Sequence, residues 1–126
     1  MSDIFSESAW DENPVLEHLA DPPNGIERRI GYRFAAVAED GKPEAAVPSI
    51  DAVFIDITDN TFRSYRMAFP AQGNVIPKKK EDGTLDEETG SMMELAAKTL
   101  SLKKDGYSMV SPKTFRKVAL AFCQLA

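Results

Sequence analysis

The sequence predicts an α+β domain, a small antiparallel sheet of about three strands packed against two C-terminal helices, with a flexible acidic N-terminal arm in front. Three observations carry this. Segments of period-two alternation fill the first half of the body, and segments of helical spacing fill its end. The first 27 residues hold seven acids and no Lys or Arg, whereas residues 28–126 hold the other 13 acids and all 15 bases. Strands segregated from helices argue for α+β rather than a βαβ alternation. The charge break divides the chain into an arm, residues 1–27 at −7, and a body, residues 28–126 at +2.

The arm is not a purely polar tail. It carries Phe5, Trp10, Leu16 and Leu19 among the acids Asp11, Glu12 and Glu17, and Trp10 is the only tryptophan of the chain. Disordered tails are poor in aromatics, so acids interleaved with large apolar groups read as a binding peptide or as an arm packed on its own body. Asn13-Pro14 is an N-cap with proline at the first helical position, predicting a short helix over 14–20. Such a helix is too short to be stable alone and needs a surface to bury against. Asp21-Pro22-Pro23-Asn24-Gly25 stops it.

In the body, residues 28–38 place Ile30, Tyr32 and Phe34 on one side and Arg29, Gly31 and Arg33 on the other, a half-buried strand. Asp40-Gly41 is a hairpin signal, and Pro43 and Pro48 make 43–49 an edge or irregular passage. Residues 50–58 are apolar on both sides and read as a central strand. Asp59-Asn60 is a turn into a third strand, 61–69, which Pro70 ends. Residues 70–90 have no period. They read as a solvated excursion, or one that hides a short hairpin around Asp82-Gly83.

Ser91 and Glu94 form a capping box that opens a helix over 91–103, with Met92, Leu95, Ala96, Thr99 and Leu100 as its apolar stripe. Gly106 suits its C-terminus. Residues 107–110 are an extended linker or a short strand. Ser111-Pro112 repeats the cap signal, and Phe115, Val118, Ala119, Phe122 and Leu125 recur at helical spacing. With both helices on one face, the other sheet face stays open and carries Arg29, Arg33, and Arg63 or Arg66.

The residue inventory excludes more chemistry than it supports. One histidine, His18, and one cysteine, Cys123, leave no zinc set and no intrachain disulfide. Cys123 sits near a helix C-terminus beside the apolar stripe and reads as a buried structural thiol. The acidic stretch 81–90 lacks the alternating ligands of a calcium loop, and the phosphate-binding glycine motifs are missing. Asp51, Asp56 and Asp59 are clustered, and Asp56 with Asp59 is the one pair suited to acid–base work. No cofactor and no metal are expected. No apolar run is long enough to span a membrane, and the acidic first residues are unlike a secretory signal, so a cytoplasmic protein is expected.

The expectation is therefore a non-enzymatic protein-interaction module, an adaptor or inhibitor. Phe5, Trp10, Leu16 and Leu19 anchor it on a partner with a basic, apolar groove, and Asp11, Glu12 and Glu17 steer it there. Two alternatives stand beside it. One is a homo-oligomer whose arm is exchanged onto a neighbour. The other, less favoured for an acidic chain, is nucleic-acid binding through Arg29, Arg33, Arg63 and Arg66 interleaved with Tyr32, Phe34, Phe62 and Tyr65.

Overall fold

The computed structural model of the chain describes residues 20–38, 46–71 and 75–125, with side chains described to residue 122. The anchors and steering acids of the arm (Phe5, Trp10, Asp11, Glu12, Leu16, Glu17 and Leu19) lie outside the described residues. So do the Asp40-Gly41 turn and the predicted helix up to residue 19, and the Cys123 side chain.

The elements in order are β1 (Glu27–Ala38), β2 (Ala46–Thr58), β3 (Thr61–Pro70), β4 (Ile76–Pro77), β5 (Glu87–Ser91), α1 (Met92–Lys104), β6 (Ser108–Val110) and α2 (Pro112–Leu125). They make an α+β fold around one six-stranded sheet in the order β4-β3-β2-β1-β6, with β5 also paired to β3. All the pairings are antiparallel. The expected three strands are thus the long centre of a larger sheet. The three added strands are two to five residues long, too short for a periodic signal to show in sequence.

The β2–β3 hairpin follows from its turn. Asp59 and Asn60 adopt φ of 51° and 62° between the paired Thr58 and Thr61, the two-residue turn whose twist matches the strands. Strand β2 begins four residues earlier than expected, at Ala46, and runs through Pro48. The Pro48 carbonyl accepts from Ala71 N at 2.9 Å. The ring nitrogen points the same way, past the last β2–β3 pair of Ser49 with Pro70, so no ladder bond is lost.

The two helices lie on opposite faces of the sheet, not on one. Leu95 and Leu102 of α1 pack with Val53, Ile55, Phe62 and Tyr107. Phe115, Ala119 and Leu120 of α2 pack with Ile30, Ile50, Ala52, Phe54 and Phe69 on the other side. The cause is β2. Ser49 through Ile55 are buried without interruption, and a strand apolar on both faces needs a cover on each. Burying a Leu or Phe contributes about 2 kcal/mol, so placing both helices on one face would forfeit several such terms.

Helix α1 is rotated from the expected stripe. Leu95 and Leu102 are buried with Met92 packed beside them, whereas Ala96 and Leu100 face outward. Its capping box forms as expected, Ser91 Oγ accepting from Glu94 N and Glu94 Oε1 from Ser91 N. Residues 78–86 close a hairpin rather than a solvated excursion: Lys79 bridges Leu85, and Lys80 N donates to Thr84 O at 2.8 Å. It joins β4 to β5 along the β3 edge.

Candidate functional site

Helix α2 covers one end of its sheet face. At the other end, where β1 begins and β2 turns into β3, the face opens into a cleft of about 620 Å³. Tyr65 and Met67 of β3 give it an apolar surface, extended by Leu85 and Pro77 from the edge hairpin. Pro23 and Ile26, the residues that lead from the arm into β1, also line it. Tyr65 is fixed by stacking on buried Phe54, with ring centroids 5.5 Å apart. Burial and the neighbouring Asp56 charge push its phenol up from the ordinary tyrosine value.

The charges of the cleft are matched in pairs. Arg28 Nε and Nη2 donate to the two Asp56 oxygens at 2.6 and 2.8 Å. That bidentate bond raises the already high Arg28 pKa against the opposing effect of burial. Arg63 Nη2 donates to Glu87 Oε1 at 2.8 Å, and Arg66 lies 3.8 Å from Asp86. Matched charges around an apolar patch suit recognition of a complementary surface.

A second polar cluster sits on the α1 face. Asp51, on β2, is buried beneath that helix's C-terminal turn. Tyr107 OH donates to Asp51 Oδ2 at 2.6 Å and Arg33 Nε does so at 3.1 Å. Arg66 Nη2 donates to the Tyr107 hydroxyl, and Arg33 Nη1 caps the α1 end through Asp105 O at 2.9 Å. Arg33 also stands over the Tyr107 ring, 4.5 Å from its centre. Lys78 Nζ lies 3.5 Å from Asp51 Oδ1, close enough for an ion pair, though that oxygen accepts no hydrogen bond. Burial pushes the Asp51 carboxyl up. The Tyr107 hydrogen bond and the charges of Lys78, Arg66 and Arg33 outweigh it, so the group titrates below the ordinary aspartate range. Burial and the bond to Asp51 push Tyr107 up to about 12.

The residues expected to form an open arginine face are dispersed. Arg29, Arg33 and Arg66 belong to the face on which α1 packs, and Arg63 to the other. Each is in an ion pair: Arg29 with Glu27, Arg33 with Asp51, Arg63 with Glu87 and Arg66 with Asp86. Of the aromatics expected beside them Phe62 is buried, Tyr32 and Tyr65 are half-buried, and Phe34 is exposed. The carboxylates are also separated. Asp51 and Asp56 lie on opposite faces of β2, and Asp59 is an exposed turn residue. Among the described residues no group of three His, Cys, Asp or Glu side chains could hold a metal. Nor is any described helix long and apolar enough to cross a membrane.

Tyr107 escaped the sequence reading because it stands in a non-periodic stretch. Asp51 carried a usable signal, since an acid on the same strand face as Val53 and Ile55 must find partners when that face is buried. No family model matches the chain, and neither the curated proteins nor the solved structures include a match to it.

Proposed function

We propose that this chain is a cytoplasmic, non-enzymatic protein-interaction module, an adaptor or inhibitor, that docks through its acidic, aromatic-bearing arm and uses the cleft at the arm's root as a second contact. The observation that carries the reading is the position of Pro23 and Ile26 in the cleft wall. A partner gripped by Trp10 and Leu16 is thereby brought to Tyr65, Met67 and the paired charges around them. Aromatic anchors supply buried area, and rim charges supply orientation and on-rate. The matched ion pairs of the cleft support binding over bond chemistry. The partner this surface fits has a basic and apolar groove.

The test uses the full chain. Wild type and a Trp10→Ala/Leu16→Ala variant are used to capture a partner, and the partner's affinity for each is then measured. The variant is expected to bind at least about tenfold more weakly. Trp10, as the only tryptophan, should shift its emission to the blue on adding the purified partner. Equal affinities for the two chains, or Trp10 emission unmoved at saturation, would overturn the reading.

A further inference from the structure

We propose that the outward side of α1 is a self-association surface through which two copies of the chain pack as an antiparallel helix pair. The inference is independent of the arm. Four large apolar residues are exposed among the described ones, and two of them, Met93 at 84% and Leu100 at 69%, lie on this single helix. They are seven residues apart, two turns along one stripe, with exposed Ala96 and Ala97 midway between them. The helix already satisfies its core with Leu95 and Leu102 on the opposite side. The outer stripe is therefore surplus to the fold.

The occupant is a second copy because the stripe is complementary to itself when reversed. A two-fold axis between Ala96 and Ala97 sets Met93 of one copy against Leu100 of the other, twice. The two alanine pairs at the axis allow the helices to approach to about 8 Å. The charges agree with the same direction. Glu94 lies in the first turn, Glu88 before it is already paired with Lys98 at 2.8 Å, and Lys103 and Lys104 occupy the last turn. Neither lysine is in an ion pair among the described residues. Reversal brings each basic end beside the other copy's acidic end and opposes the two helix dipoles. A parallel pair would stack like charges instead. A contact of two helical turns falls below the roughly 1,200 Å² of a stable interface, so the dimer is weak, with Kd in the micromolar range or above.

Sedimentation of the full chain from micromolar to millimolar concentration should show a reversible monomer–dimer equilibrium. Leu100→Glu should weaken it by about tenfold or more while leaving the unfolding midpoint unchanged, because residue 100 touches no core. Geometry is read by oxidative cross-linking. Ala97→Cys should give a disulfide dimer. Lys104→Cys should not, since the axis puts the two copies of position 104 about 20 Å apart. Wild type under the same oxidant accounts for Cys123. A full chain that stays monomeric at millimolar concentration overturns the proposal, as it would if the arm or another protein were the occupant of the stripe. A dimer insensitive to Leu100→Glu, or equal cross-linking at 97 and 104, overturns it as well.

Discussion

The Tyr107 hydroxyl donates to Asp51 Oδ2 at 2.6 Å across 56 residues of chain, tying the segment after α1 to the centre of β2. Both side chains are buried, at 4% and 2% exposure. An anionic acceptor makes this a strong hydrogen bond in a site where water cannot replace it. Tyr107→Phe should cost about 1–2 kcal/mol of unfolding free energy. Asp51→Asn should cost about 2–4 kcal/mol, because Arg33 and Tyr107 keep their donors and lose the charge that held them. Urea denaturation of the two single variants and the double variant should give a coupling of about 1 kcal/mol or more. Additive costs would mean that the bond contributes nothing of its own.

The same pair sets limits on the pH range of the fold. Asp51 is held below the ordinary aspartate value in the folded chain. Its contribution is therefore complete above about pH 4 and is lost as pH falls through the lowered folded value. Tyr107 moves the other way, from 10.0 to about 12. The protonated phenol is favoured by folding, so its contribution is complete below pH 10 and is lost as pH rises toward 12. Denaturation midpoints measured across pH should fall at both ends, and Asp51→Asn should flatten the acid limb. A spectrophotometric titration of tyrosinate should lose its latest component in Tyr107→Phe. A wild-type titration in which Tyr107 ionises with an ordinary tyrosine would contradict the burial described.

How much of this was legible in the residues varies by element. The β2–β3 hairpin, the capping box at Ser91 and the cap at Ser111 were all readable, because each depends on a few adjacent side chains and the backbone bonds they make. The placement of the helices was readable in principle. Val53 and Ile55 on one side of β2, and Ile50 and Phe54 on the other, already demand two covers. Strands β4 and β5 were not readable, since each gains its stability from the edge it joins rather than from its own pattern, and β6 was legible only as one of two alternatives, a linker or a short strand over 107–110. The α1 stripe was misread for a related reason. Leu100 and Leu102 are both apolar, and only the packed sheet decides which one turns inward. The arm's anchors, named from the interleaving of acids with large apolar groups, lie outside the described residues, whereas Pro23 and Ile26, which line the cleft, were not singled out as contacts.

Gly90 marks a close approach that no larger residue fits. A Cβ there would stand 2.8 Å from Phe62 Cε1 and 3.1 Å from Glu94 Oε2. Phe62 belongs to the core beneath α1, and Glu94 closes the capping box, so the clash acts on packing and cap together. Gly90→Ala should cost about 1–3 kcal/mol. Phe62→Leu, destabilising alone, should relieve part of that cost, so that the double variant is more stable than the sum of the two singles. Simple additivity in thermal denaturation would place the strain elsewhere.

Arg28 and Asp56 offer a test of what a buried charge pair contributes. Their side chains are 3% and 16% exposed, and the bond between them is bidentate. Attraction inside the fold is opposed by the cost of taking both ions out of water, and the two are of similar size. The net value of the pair is therefore small, but the cost of breaking it is not. Asp56→Asn takes the charged bidentate acceptor away from a buried guanidinium and should cost about 3 kcal/mol. The double replacement Arg28→Met/Asp56→Leu removes both ions and keeps the volume, and it should be more stable than Asp56→Asn alone. Chemical denaturation of the three chains measures this. A double variant less stable than Asp56→Asn would mean that the pair is a net source of stability, and that the wall of the cleft depends on it.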